Sequence, residues 1–337
     1  MPALAVADAL RAEGAEVTFI GGARAEARLV PEAGFELHAL AVEGISRTSP
    51  VQAVWGLFRA LRAVGRARSL LAALRPDAVM GGGGYVAWPV GMAALSLRIP
   101  LVLTEADSHL GLANRALAPF ARRVCLAFPV AGRGGTRYLL TGRPVPVVNT
   151  DRAAARQQFS IGTEETCVLV FGGSLGARSI NHAAVEAFAG APFHVLHVTG
   201  ARDYAELAAR TPRDGYDLRE YLALPDFEAA LAAADIAVAR SGGSVFELAA
   251  HGLPAVLIPY PHAAGDHQRA NARWMADAGA AVVIPDGELT ASRLGGEVAA
   301  LLADRRRLEA MAGAARGLAR PQAAREVARE LLAAAGA

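Results

Sequence analysis

Residues 236–271 read IAVARSGGSVFELAAHGLPAVLIPYPHAAGDHQRAN, and their side chains are of the kinds that hold phosphate and sugar groups. A Gly-rich turn, Arg240-Ser241-Gly242-Gly243-Ser244, lies between an apolar run and a helical pattern. Such a turn aims backbone N–H groups and a helix N-terminus at an anion. Glu247 follows inside the helix. A carboxylate there suits a ribose diol, because a charged acceptor takes two hydroxyl hydrogen bonds. Asp266, Gln268 and Asn271 add polar groups of the kind that read sugar hydroxyls. An ordinary αβ crossover with glycines serving its turns has the same spacing, so this stretch alone leaves site and scaffold both open.

Three more places carry chemistry. Gly81-Gly82-Gly83-Gly84-Tyr85 separates an apolar run over 77–80 from a helical pattern over 88–97, and four glycines allow a ligand close to the backbone. Glu105, Asp107 and His109 follow an apolar run over 101–104, at the strand end where an α/β sheet places its active site. Gly172-Gly173-Ser174-Leu175-Gly176 follows the run CVLVF and opens a helix to Ala189. Cys125 and Cys167 each sit in an apolar run and read as buried free thiols. No His/Cys cluster has zinc spacing and no Asp-x-Asp motif is present, so no metal site is expected.

The elements that position these residues alternate between strand and helix. Runs over 17–20, 35–39, 77–80, 101–104, 124–127 and 138–141 read as strands of a first half. Runs starting at 167, 194, 236 and 255 read as strands of a second, with Ala- and Arg-rich helices after Ile284. Residues 142–155 are rich in Pro and Val without a period, which places a linker around 144–152. The expected domains are 1–145 and 146–320, with 321–337 a terminal helix that packs back on the first. A doubly wound fold ordinarily opens with a central strand and a Gly-rich turn. This chain opens with a helical pattern over 1–13, so that strand and turn are expected to be missing, leaving two strand edges open within the first sheet.

Length and charge narrow the function classes. The chain has 337 residues, 53% hydrophobic, and no apolar run of the ~18 residues a membrane span needs. Its N-terminus lacks a basic leader pattern, so a cytoplasmic protein is expected. All 34 basic residues are Arg. Residues 1–145 hold 16 Arg against 10 acids, a net +6, while the remainder holds 18 against 22, a net −4. A basic half suits an anionic lipid or a phosphorylated substrate. No nucleic-acid motif or aromatic–basic interleaving accompanies it, so nucleic acid is excluded as a partner. Within it, Pro50–Leu74 carries Trp55, Leu57, Phe58 and Leu61 beside Arg59, Arg62, Arg66 and Arg68. That pattern fits a helix on an anionic membrane surface, and equally a core-packed helix with a solvated Arg face.

Taken together the motifs resemble the MurG family of UDP-N-acetylglucosamine transferases. They stand here as GGGGYVAWP (81–89), TEADSHLGLANRALA (104–118), GRPV (142–145), GGSLGARSIN (172–181), RSGGSVFELAAHGLP (240–254) and GDHQRANA (265–272). Six motifs in one order are specific where a single Gly-rich loop is weak. The resemblance implies an α/β GT-B fold, two Rossmann-like doubly wound domains with a cleft between them. It implies an inverting, metal-independent transfer of GlcNAc from UDP-GlcNAc to undecaprenyl-linked lipid I, at the cytoplasmic face of the plasma membrane, with cell-wall synthesis proteins as possible partners. No cofactor is expected.

Carried over residue by residue, Ser174 with the backbone at Gly173, Arg143, and the Ser241-Gly242 turn would hold the donor diphosphate. Glu247 would take the ribose, and Gln268, with Asp266 and Asn271, would read GlcNAc. Gly83, Gly84, Tyr85 and Asn114 would take the acceptor. Glu105 is the first candidate for the base, Asp107 the second and His109 the third. The family's first Gly-rich loop, with its histidine, would precede Met1. Thr104-Glu105-Ala106-Asp107 replaces the frequent His-Glu-Gln-Asn, and Pro146 stands where an arginine is frequent. The rival functions are another GT-B UDP-sugar transferase, a UDP-GlcNAc 2-epimerase, and a donor-binding protein without turnover.

Overall fold

The computed structural model of the chain describes residues 2–22, 26–40, 50–146, 148–173, 175–210 and 214–336; the side chains of residues 50–60 and of Ala264 lie outside that description. The chain forms two compact units, Met1–Pro146 with Arg320–Ala337, and Val147–Ala319. Both are Rossmann-like α/β folds.

The first unit runs α1 (Pro2–Ala12), β1 (Thr18–Gly21), α2 (Glu26–Glu32), β2 (Glu36–Ala39), α3 (Pro50–Leu74), β3 (Val79–Gly81), α4 (Gly84–Ser96), β4 (Leu101–Glu105), α5 (Leu112–Leu117), β5 (Arg123–Leu126) and β6 (Tyr138–Leu140). Strands β3-β4-β5-β6 form one parallel sheet, and β1 pairs in parallel with β2 alone. β1 and β3 therefore each keep one unpaired edge among the described residues. Both line a cavity of about 430 Å³ that also receives Val6, Leu10 and Leu71. Helix α4 starts four residues earlier than its apolar pattern suggests. Gly83, at φ +78°, turns the chain so that Gly84 is already helical. On α3, Ala63, Ala67 and Leu71 are buried at helical spacing, while Leu61, Arg62, Arg66 and Arg68 face solvent.

The second unit runs α6 (Arg152–Gln158), β7 (Cys167–Phe171), α7 (Arg178–Ala187), β8 (His194–Val198), α8 (Ala201–Ala208), β9 (Tyr216–Arg219), α9 (Leu224–Ala233), β10 (Ile236–Ala239), α10 (Val245–His251), β11 (Ala255–Leu257), α11 (His267–Asp277), β12 (Ala281–Val283), α12 (Ala291–Ala303) and α13 (Arg305–Leu318). Its six parallel strands lie in the order β12-β11-β10-β7-β8-β9. Every residue of β7 and β10 is buried, as expected of central strands covered on both faces. The strand order reverses between β7 and β10, the place where an open α/β sheet binds its ligand. Helix α6 begins inside the stretch that looked like linker. Asp151 caps it by accepting from the Ala154 N–H, and buried Arg156 donates to the carbonyls of Gly162 and Ala233.

The last helix, α14 (Ala323–Ala335), belongs to the first unit. Val327, Ala328, Leu331 and Ala334 form its buried stripe, against Val6 of α1 and Val102 and Cys125 of the sheet. Burying side chains such as Val327 and Leu331 stabilises by roughly 1.5–3 kcal/mol each. Arg123 of β5 donates to the Glu330 carboxylate at 2.9 Å and fixes the helix register.

Candidate active site

In the second unit the polar residues of the sequence motifs collect at the carboxyl ends of β7, β10 and β11. The turn after β7 is packed onto the end of β8. A Cβ on Gly176 (φ +74°) would lie 1.8 Å from the Thr199 carbonyl oxygen, so only glycine fits. Gly173 (φ +91°) has no heavy atom within 4 Å of where a Cβ would be, which leaves its surface open to a ligand. Ser174 lies outside the described residues. The turn leads into α7, whose N-terminus carries the positive end of the helix dipole.

The turn after β10 is held from α11. Ser241 Oγ donates to the Gln268 carbonyl at 2.7 Å, and Asn271 Nδ2 donates to the carbonyls of Ser241 (3.0 Å) and Gly242 (3.4 Å). Asn271 is buried, and no hydrogen bond reaches its Oδ1. The side chain of Gln268 accepts from the Tyr260 N–H at 3.0 Å. Ser241, Gly242, Gln268 and Asn271 are thus brought together. Asp266 opens α11 with φ +57°, is exposed, and faces Arg269 at 3.5 Å. Glu247 sits half-buried in the first turn of α10, which the Phe246 and Trp274 rings (5.0 Å) pack onto α11.

Arg240, named in the sequence only as the first residue of its turn, ties these loops together. Its guanidinium donates to Asp286 Oδ1 (2.6 Å), Ser179 Oγ (2.9 Å), and the carbonyls of Ile258 (3.1 Å) and Pro259 (3.3 Å). Ser179 Oγ also donates to Asp286 at 2.7 Å. One buried cation so fixes α7, the ends of β10 and β11, and the turn after β12. An arginine ending a fully apolar strand is the sequence signal for such a clamp, because a buried guanidinium must be paired.

A second polar chain supports the turn after β7. His197 of β8 is fully buried between Tyr216 Oη (2.9 Å from Nδ1) and Asn181 Oδ1 (3.1 Å from Nε2). Asn181 in turn donates to the Thr199 carbonyl and to Asp203. An amide oxygen only accepts, so Nε2 carries the hydrogen and Tyr216 donates to Nδ1. Burial pushes the His197 imidazole down to about 3.

In the first unit the residues 81–85 and 104–114 meet. The Glu105 carboxylate is buried and accepts three N–H groups: Gly111 (2.8 Å), Asn114 Nδ2 (2.9 Å) and Asp107 (3.2 Å). It closes the loop after β4 into a ring. Asn114 Nδ2 also donates to the Thr104 carbonyl at 3.0 Å, and a Cβ on Gly83 would lie 3.7 Å from it. Asn114 thus joins the Gly-rich turn to the loop. Asp107 is half-buried, with no donor recorded to its carboxylate among the described residues, and His109 is exposed. Tyr85 is half-buried beside Gly22, whose Cβ would lie 3.0 Å from the Tyr85 hydroxyl. Arg143 is half-buried in the segment after β6 and belongs to this unit. No group of His, Cys, Asp and Glu fit to hold a metal occurs among the described residues.

Comparison with known proteins gives one family for both units. Residues 1–126 match the glycosyltransferase family 28 N-terminal domain, and residues 167–327 its C-terminal domain. The chain is 43% identical to the UDP-N-acetylglucosamine–N-acetylmuramyl-(pentapeptide) pyrophosphoryl-undecaprenol N-acetylglucosamine transferase of Rubrobacter xylanophilus, over 98% of each chain. It is 42% identical to the enzyme of the same name from Moorella thermoacetica, over 96% of this chain and 92% of the other. The crystal structure of Acinetobacter baumannii MurG superposes with a TM-score of 0.80 at 29% identity, covering 98% of this chain and 95% of that one.

Proposed function

The chain belongs to glycosyltransferase family 28, and from that we propose the reaction of its relatives: transfer of GlcNAc from UDP-GlcNAc to lipid I, in peptidoglycan synthesis. The observation that carries the donor half is the meeting of Ser241, Gly242, Gln268 and Asn271 at the switch point of the second sheet. Their backbone N–H groups, with the α7 N-terminus and the open face of Gly173, suit the diphosphate. Glu247 suits the ribose. The side chain of Gln268 would exchange its contact with the Tyr260 N–H for the GlcNAc hydroxyls.

The reaction is an inverting displacement. A hydroxyl of the acceptor's muramyl sugar attacks the anomeric carbon, the bond to UDP breaks, and a base removes the hydroxyl proton. Positive potential at the donor loops would stabilise the charge developing on UDP. Of the two carboxylates among the candidate bases, Glu105 spends three of about four lone-pair sites on N–H donors. We assign it to shaping the loop, and the proton to Asp107, whose carboxylate is less engaged. Gly83, Gly84, Tyr85 and Asn114 would take the acceptor diphosphate.

No helix among the described residues is long and apolar enough to cross a membrane. A lipid-linked acceptor must then be reached from the surface, and we assign that contact to α3, whose Arg62, Arg66 and Arg68 face solvent. The apolar residues Trp55, Leu57 and Phe58 of that helix lie in its part whose side chains are not described.

Titration calorimetry with UDP-GlcNAc, against UDP-glucose and GDP-mannose, tests the donor reading. Selective binding of UDP-GlcNAc is expected, followed by UDP release that depends on lipid I. Equal binding of all three sugars, or UDP release indifferent to lipid I, overturns the assignment.

A further inference from the structure

Behind Glu247 lies a pair of ionisable side chains that the transfer reaction does not use. His251, one turn further along α10, approaches Glu228 of α9 with Nε2 3.3 Å from Oε2. Their side chains are only 3% and 7% exposed. Neither Glu228 Oε1 nor His251 Nε2 has a hydrogen-bond partner, so the two groups approach each other without a bond between them. The other ring nitrogen, Nδ1, lies 3.0 Å from the Glu247 carbonyl oxygen. A carbonyl only accepts, so Nδ1 carries the hydrogen, and a neutral ring leaves an unpaired Nε2 lone pair near Glu228. That lone pair complements a carboxylic acid rather than a carboxylate. With Glu228 protonated and the ring neutral, the couple carries no net charge.

We propose that Glu228 and His251 are positioning residues for the donor site, a buried couple whose charge state sets how well Glu247 holds the donor. The proposal rests on the reading of Glu247 as the ribose carboxylate. Burial, then the charge of Glu247, pushes the Glu228 carboxyl up to about 7, and burial pushes the His251 imidazole down. Near neutral pH the couple releases its proton and becomes a buried anion beside Glu247. Two like charges repel, the paired helices α9 and α10 lose their match, and the doubly charged donor meets a less favourable potential. Among the charged groups on the elements packed against the couple, Glu247 of α10 acts on Glu228, Arg316 of α13 lies against Gly252, and Arg152 and Arg156 of α6 donate to carbonyls at the end of α9. α11 contributes the Trp274 ring, against Phe246. His262 and His267, near the start of α11, are common to the intact protein and to the variant used below.

The test is the dissociation constant of UDP-GlcNAc at pH 5.5 and pH 8.0, at matched ionic strength, in the intact protein and in Glu228→Gln. Gln keeps the shape of the protonated acid and cannot ionise. The ratio of variant to wild-type dissociation constants is expected to be near one at pH 5.5 and to fall to roughly one fifth at pH 8.0, the size of one partly screened charge. Because His262 and His267 remain in both proteins, they cancel in the ratio. A ratio that stays constant across the range overturns the proposal. Should Glu228→Gln not fold, the double variant Glu228→Ala, His251→Ala is read in the same way. Glu247→Gln separates the underlying reading: donor binding as tight as wild type in that variant rejects the ribose assignment, whatever the couple does.

Discussion

At the scale of single residues, the proposed mechanism gives two neighbouring carboxylates of the first unit different work, and substitution tests that division. Glu105→Gln puts an amide N–H₂ among three N–H donors. The loop after β4 loses its anchor, so both turnover and the thermal midpoint of the first unit are expected to fall. Asp107→Asn keeps the loop and removes the proton acceptor. Turnover is expected to drop by about 10²–10⁴-fold with the melting curve and the donor KM unchanged. If Glu105→Gln lowers turnover without touching stability, the roles are reversed. His197 gives a prediction of another kind. Its folded imidazole stays neutral to about pH 3, whereas the unfolded chain takes up a proton near 6.5. Stability of the second unit is therefore full above about 6.5 and is lost as pH falls toward 3. Denaturant titrations at pH 7.5 and 5.5 should differ by about 1.4 kcal/mol from this group, and His197→Gln should remove that part of the difference.

At the scale of elements, what could be read in the sequence was what neighbours in the chain decide. The glycines at 83, 173 and 176, and the helix stop at Gly252, announce themselves because the backbone conformation each needs is local. The placing of Glu247 on α10, and of Gln268 and Asn271 on α11, was legible for the same reason, since each helix start is marked locally. The partners of Arg240 were not, since Asp286 and Ser179 lie far along the chain and meet it only once the sheet has formed. Nor does spacing reveal that the N–H groups of Gly111 and Asn114 turn inward on Glu105. The short strands β9 and β12 went unread because three or four residues give no usable period, and the eight residues of α8 span little more than two turns. The open edges of β1 and β3 make an element-scale prediction. Residues of β1 are half-exposed and those of β7 fully buried. Amides of β1 should exchange with solvent at least ~100-fold faster than those of β7. Equal protection would mean that the edges are covered in solution.

At the scale of the whole molecule, the two units differ in how completely they bury their sheets. The second has six strands in one sheet, and the first divides its six between two. Calorimetry should resolve two transitions, the first unit melting lower. Leu331→Ala, in the stripe by which α14 covers α1 and the sheet, should destabilise the first unit by about 2–5 kcal/mol and leave the second where it was. A single transition that moves as a whole in the variant would show that the units unfold together.

Helix α14 also bears on the order in which the chain acquires its structure. A ribosome makes residues 147–319 before it makes α14, yet α14 is part of the unit that began with Pro2. At roughly 5–20 residues per second, the intervening stretch takes on the order of ten seconds or more to appear. During that time the first unit waits with Val6, Val102 and Cys125 uncovered, while the second has all it needs to close. The usual order of synthesis, in which the leading domain folds first, is inverted here. The newborn chain carries an apolar face for chaperones to recognise until α14 leaves the exit tunnel.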